Sequence, residues 1–185
     1  EVLPPPVGAA ALQAAVQRLL RKRAPAAAGP SRHGEVLAFL SCKGGGGATF
    51  LAANVAHALS TREGRSVALI DPDLQFGDAL LMLGDQRAGS DVAEVARNIG
   101  RLDTELLRAS MVAVTPTLSV LPAPQELSAA LEVKADHVEG IVRQARQMFD
   151  HVVLDLGHSI DAVSLQGLDL ADCIAPVLQL SLPQL

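Results

Sequence analysis

The sequence predicts an α/β domain whose mainly parallel sheet is doubly wound, with helices on both faces. Three observations carry that expectation. Short apolar runs of strand character alternate with helical stretches of about 10–15 residues, the pattern of crossover units. A cluster of four glycines at residues 44–47 stands between the first such strand and the first such helix. The 185-residue chain is 49% hydrophobic and 19% charged, with mean hydropathy +0.30, which suits a packed core and not a solvated tail.

The first 34 residues differ in texture from the rest. Pro4 to Pro6, an alanine-rich stretch over residues 9–15 and a loop-like stretch over residues 24–34 read as a short helix followed by a linker. Leu12, Val16, Leu19 and Leu20 fall on one apolar stripe, while Arg18, Arg21, Lys22 and Arg23 gather where cations complement the helix dipole. Such a helix is either the last helix of a preceding domain or a basic amphipathic helix on a membrane surface, so peripheral membrane association stays open. The amino end has neither an initiator Met nor the basic-then-apolar layout of a secretion signal, as expected of an excised or processed piece. No run reaches the roughly 18 apolar residues of a membrane-crossing helix.

Residues 36–41 are the first strand and residues 50–60 the first helix, with Leu51, Val55, Ala58 and Leu59 at helical spacing. Residues 67–71 form the next strand and end in acids. Further strands are expected at 118–121, 152–155 and 173–180. The helix between the first two covers residues 135–149, with Val138, Ile141, Val142 and Ala145 on one face, and residues 125–131 form a helix after a Pro-Ala-Pro turn. No internal repeat is evident.

Composition excludes several functions. With four Phe and no Trp or Tyr, the core is built from Ala, Val, Leu and Ile, and no set of rings exists on which single-stranded bases could stack. Fifteen Lys plus Arg against twenty Asp plus Glu give a formal charge of −5, which opposes general attraction to phosphate backbones, so no specific nucleic acid is expected as partner. Cys42 and Cys173 form no C-x-x-C pair, which argues against a disulfide framework, a zinc site or an iron–sulfur site and points to a reducing, cytoplasmic setting. His57, His151 and His158 lack metal-ligand spacing.

The segment Ser41-Cys42-Lys43-Gly44-Gly45-Gly46-Gly47-Ala48-Thr49 joins strand to helix, where backbone amides close around a phosphate at a helix amino end. Against the ordinary G-x-x-x-x-G-K-[ST] loop, Gly47 and Thr49 match, but Cys42 replaces the first glycine and Ala48 the lysine. Lys43 instead precedes a glycine pair. The segment thereby resembles the deviant Walker A phosphate loop, K-G-G-x-G-K-[ST], of the MinD/ParA family. Asp71-Pro72-Asp73 resembles that family's D-x-D element, and residues 152–157 resemble its Walker B strand, ending in Asp155 and followed by Gly157. Acids at strand ends beside a phosphate loop hold metal-bound water or orient an attacking water.

Residues 36–185 resemble one branch in particular, the CpaE/TadZ proteins of Tad (Flp-type) pilus assembly. The loop of that branch often reads K-G-G-x-G-A-T, which accommodates Ala48. Asp71-Pro72-Asp73-Leu74-Gln75-Phe76-Gly77-Asp78 resembles its D-x-D-L-Q-F-G-D segment, and Leu121-Pro122-Ala123-Pro124 and Asp155-Leu156-Gly157-His158-Ser159 resemble it too. The resemblance implies a P-loop NTPase fold with two parts: residues 1–34 as helix and linker at the tail of a receiver-like domain, and residues 35–185 as a MinD/ParA-like ATPase domain. Domains of this family usually run on into further strand and helix, including the segment that recognises the base. The domain is therefore expected to be truncated at its C-terminus.

The same resemblance implies ATP or ADP and Mg²⁺ as ligands. Lys43, Gly44, Gly45, Gly46, Gly47, Ala48, Thr49, Asn54 and Gly157 would bind the nucleotide, and Thr49, Asp71 and Asp155 the metal. Asp73 would orient water. Lys43, the second catalytic candidate, would reach across a homodimer interface to the partner's nucleotide and couple ATP binding to dimerisation. Ala48 removes one cation from the cis phosphates, a loss of about 1.5–3 kcal/mol of interaction, and weakens transition-state stabilisation. At most a slow ATPase is expected. The implied function is a nucleotide-gated localisation and assembly factor for a Tad/Flp-type pilus or a type II/IV-like secretion machine. It would recruit the motor ATPase and other pilus-assembly proteins at the cytoplasmic face of the inner membrane or at the cell pole. Two alternatives stay open: an active MinD/ParA-type positioning ATPase, and a pseudo-ATPase scaffold without nucleotide.

Overall fold

The computed structural model describes residues 33–178. The helix expected over residues 1–23, most of the linker, and the strand's continuation beyond 178 lie outside the described residues.

Strand side chains alternate between two faces, and here both faces are apolar. In β1 (Glu35–Ser41), Val36 and Ala38 enter one core while Phe39 enters the other. In β2 (Val67–Ile70), Ala68 and Ile70 are divided from Val67 and Leu69 in the same way, and in β5 (His151–Asp155) Val152 and Leu154 are divided from Val153. Strands placed between two helical layers read as unbroken apolar runs, which is why these three were legible. With β3 (Val112–Thr115), β4 (Leu118–Leu121) and β6 (Cys173–Val177), they form one sheet in the order β3-β4-β2-β5-β1-β6. All neighbours are parallel except β3 with β4.

One face is covered by α1 (Ala48–Arg62), whose buried stripe is Ala48, Ala52, Ala53, Ala56 and Ser60. Small side chains let its backbone lie close to Phe39, Leu69 and Val153. The other face carries α2 (Val92–Arg97), α3 (Thr104–Ser110), the short α4 (Leu127–Ala130), α5 (Ala135–Met148) and α6 (Ala162–Leu170). The buried face of α5 is Val138, Ile141, Val142 and Ala145. The doubly wound, mainly parallel architecture is thus present. No helix among the described residues is long and apolar enough to cross a membrane.

Three elements depart from the pattern expected of the sequence. α2 and α3 span six and seven residues, too short for periodicity to declare. Each is started by an aspartate cap: Asp91 accepts from Glu94 N at 2.9 Å and Asp103 from Leu106 N at 2.8 Å. β3 is a half-exposed, antiparallel edge strand closed by the Thr115-Pro116-Thr117 turn, in which Thr115 Oγ1 accepts from Leu118 N at 2.9 Å.

Chain order and spatial order diverge at the centre of the sheet. β1 leads through α1 to β2, yet β5 lies between them. Such a reversal opens a crevice at the carboxyl ends of the strands. The register pairs Phe39 with Asp155 and Ile70 with Leu154, so the chain leaves β1, β2 and β5 at the same edge.

Candidate functional site

The glycine segment is clamped at its start. Ser41 N donates to Gly157 O at 2.7 Å and Cys42 N to Val177 O at 2.9 Å, tying the segment to the ends of both neighbouring strands. It then turns tightly: Gly46 N donates to Lys43 O at 3.1 Å, and Ser41 Oγ donates to the same carbonyl at 2.8 Å. A Cβ on Gly46 would overlap that Ser41 hydroxyl. Gly47 is the N-cap of α1 at φ +93°, a left-handed backbone that costs other residues about 1–2 kcal/mol. It contributes no side-chain cap, so the amides of the first helical turn, without intrahelical acceptors, are left for a ligand.

The acids stand beside this loop. Asp71 is fully buried, and its Oδ1 and Oδ2 accept from Asp73 N at 3.2 Å and Ala79 N at 2.9 Å, folding residues 71–79 back over the end of β2. Burial, then the nearby Asp155 charge, push its carboxyl well above the usual range. Asp73 Oδ1 accepts from Gln75 N at 3.1 Å and Phe76 N at 3.2 Å, and its other oxygen lies against Gly157. Asp155 is also fully buried. Burial raises its pKa, the charges of Asp73 and Asp78 add to that, and Thr49 and the Gly157 amide oppose it. Gly157 N donates to Oδ1 at 3.4 Å, whereas Oδ2 has no hydrogen-bond partner. Thr49 acts on this carboxylate without forming a hydrogen bond of good geometry to it.

A buried, unpaired carboxylate oxygen beside a hydroxyl is costly unless a cation balances it. Among the described residues no three His, Cys, Asp or Glu side chains group closely enough to cage a metal. Asp155 and Thr49 therefore fit a hard cation that fills the rest of its shell with phosphate oxygens and water.

Between loop and acids lies a cavity of about 340 Å³ that brings together Gly44, Gly45, Gly46, Gly47, Ala48, Thr49, Asp73 and Gly157. Four of the expected residues do not line it, the fully buried Asp155 among them. Lys43 is exposed at the start of the loop. Asn54 is exposed on α1, with Nδ2 donating to Phe50 O at 2.7 Å. Asp71 lines a neighbouring cavity of about 450 Å³ instead, with Gly77 and Ala123. The cavity also takes in Ser41, Phe50, Phe76, Asp78, Met82 and His158. Asp78 closes the D-P-D-L-Q-F-G-D segment, so a signal for it existed; for Phe50 and Met82 there was none.

Residues 34–182 match a family described as AAA domain. Over 128 residues the chain is 31% identical to the septum site-determining protein MinD of Synechocystis sp., covering 69% of this chain and 46% of that protein. Its fold is similar to that of a ParA family ATPase from Chlorobium tepidum TLS, with TM-score 0.77 and 31% identity over 81% of this chain and 62% of that one. It is also similar to cobyrinic acid a,c-diamide synthase from Mycobacterium smegmatis, solved with a bound ATP analogue and magnesium, with TM-score 0.64 and 27% identity over 78% of this chain and 58% of that one. The chain spans about half the length of the curated relatives it matches.

Proposed function

The chain belongs to the AAA domain family and to the MinD/ParA superfamily, and from that premise we propose a nucleotide-gated switch that binds ATP with Mg²⁺, dimerises, and hydrolyses slowly. The observation that carries the reading is the cavity lined on one side by the glycine loop and on the other by Asp73, backed by the unpaired oxygen of Asp155.

The amides of Gly47, Ala48 and Thr49, at the start of α1, bind phosphate oxygens, while Gly46 N is held by Lys43 O. Thr49 and Asp155 would hold the magnesium ion, which when bound neutralises phosphate charge, and Asp71 fixes the acidic loop through its two amide contacts. Asp73, held by the Gln75 and Phe76 amides, presents its second oxygen to orient a water. Ala48 leaves the loop without its usual cation, which slows turnover by weakening transition-state stabilisation. Lys43, exposed and off the cavity wall, is free to serve the nucleotide of a second copy.

The finer assignment is to assembly of a Tad/Flp-type pilus or related secretion machine, with the motor ATPase and other pilus-assembly proteins as partners at the cytoplasmic membrane face or cell pole. Ala48 and the D-P-D-L-Q-F-G-D segment support it. A second reading, an active positioning ATPase, draws support from Asp73 seated against Gly157 and from the similarity to MinD.

The test is binding of labelled ATP and ADP with Mg²⁺ to the full protein and to Lys43→Ala, followed by size-exclusion chromatography with light scattering. ATP-dependent dimerisation that Lys43→Ala abolishes is the expected result. Turnover strongly stimulated by a partner would favour the positioning ATPase, and no nucleotide binding by either protein would leave a scaffold.

A further inference from the structure

A polyphosphate entering this cavity meets an unusual balance of charge. The charged side chains on its wall are the carboxylates of Asp73 and Asp78, and among the described lining residues there is no lysine or arginine. In ordinary phosphate loops the lysine reaches the outer phosphates while the amides hold the inner ones. Here Ala48 occupies the lysine's place and Lys43 is off the wall. The sole basic side chain among the described lining residues is His158.

The position of His158 is set by the fold. Gly157 ends the β5 extension at φ +61°, and its carbonyl accepts from Ser41 N at 2.7 Å, which pins the loop after β5 to the root of the glycine segment. The next residue, His158, lays the Cδ2–Nε2 edge of its ring over Gly44, each atom 3.7 Å from where a Cβ on Gly44 would stand. Asp161, three residues on, is engaged as the cap of α6, accepting from Ser164 N at 2.8 Å. No hydrogen bond to another described residue engages the imidazole. Asp73, the proposed water-orienting acid, packs against the adjacent Gly157, so His158 and Asp73 line the same cavity beside the same backbone turn.

We propose that the His158 imidazole is the protein's own donor to the terminal phosphate, taking the part left open by Ala48 and setting preference for a triphosphate over a diphosphate. This deepens the nucleotide-switch reading and rests on it. An N–H donor aimed at a charged phosphate contributes only when that phosphate is present, so its loss separates ATP from ADP. Gln offers an amide donor of similar reach, whereas Ala offers none.

The experiment is titration calorimetry of Mg-ATP and Mg-ADP into the full protein, His158→Ala and His158→Gln. His158 is exposed, so both variants retain the fold, which circular dichroism verifies. The expected result is that His158→Ala weakens ATP about tenfold or more, leaves ADP within about twofold, and that His158→Gln recovers a substantial part of the ATP affinity. Equal loss of both nucleotides, or no loss of either, overturns the role of His158 while leaving the nucleotide switch intact. Failure of the unaltered protein to bind either nucleotide overturns both.

Discussion

The carboxylate of Asp73 lies directly against the backbone of Gly157, so that a Cβ at position 157 would fall on Asp73 Oδ2. The contact joins the start of the loop after β2 to the turn that follows β5 and holds the proposed water-orienting acid beside the phosphate loop. Any side chain at 157 must push that acid away.

Gly157→Ala therefore carries two penalties. The left-handed φ of +61° costs about 1–2 kcal/mol, and the overlap with Asp73 adds to it. A fall in melting temperature of roughly 2–4 °C per kcal/mol is expected, with reduced phosphate release. In an Asp73→Ala background the overlap with the carboxylate vanishes, leaving the backbone penalty and a tight contact with Cβ of residue 73, so the two substitutions are non-additive. Thermal unfolding of the four proteins checks this, and strict additivity would contradict the contact.

Two glycines of the loop respond differently to the same change. Gly46→Ala forces its Cβ into Ser41 Oγ, an overlap of the kind that costs about 1–3 kcal/mol. Gly44→Ala meets only an ordinary contact with His158 and is expected to stay within about 0.5 kcal/mol of the parent. Urea denaturation ranks them.

Asp71 and Asp155 both have folded pKa values raised chiefly by burial. Between the usual carboxylate value and the raised one, the folded state binds more protons than the unfolded state. Their contribution to stability is thus greatest below the unfolded value and is lost as pH rises through the folded one. Mild acidification of the nucleotide-free protein is expected to relieve this strain. Asp155→Asn removes one buried charge, so at neutral pH it is expected to stabilise the nucleotide-free protein by about 1 kcal/mol and to shrink the gain on acidification. Magnesium-dependent nucleotide affinity falls in the same variant. Urea titrations at neutral and mildly acidic pH, with and without Mg-ATP, test both signs.

Far from the site, the Ser60 hydroxyl lies 2.8 Å from Thr117 Oγ1 and 3.0 Å from Thr115 Oγ1, binding the end of α1 to the β3–β4 turn. Ser60 is 3% exposed, so Ser60→Ala removes two buried hydroxyl contacts, while Thr115 Oγ1 keeps the Leu118 amide and Thr117 Oγ1 keeps Ser60 O, and is expected to cost about 1 kcal/mol. Nucleotide affinity should not change. Thermal unfolding alongside calorimetry separates the two effects.

What the sequence determined by itself is local chemistry and periodicity. Lys43 to Thr49 announce a phosphate loop because the turn, the glycines and the helix start are contiguous. Asp71, Asp73 and Asp155 were legible because each ends an apolar run, and β1, β2 and β5 because two apolar faces leave no polar interruption. Only tertiary structure decided that Asp73 rests on Gly157, that His158 covers Gly44, that Asp155 keeps an unpaired oxygen, and that Lys43, Asn54, Asp71 and Asp155 stand off the cavity wall. Those relations depend on the register that sets Phe39 beside Asp155 and Ile70 beside Leu154. Register between strands distant in the chain is settled by packing of the whole sheet, and no local pattern encodes it.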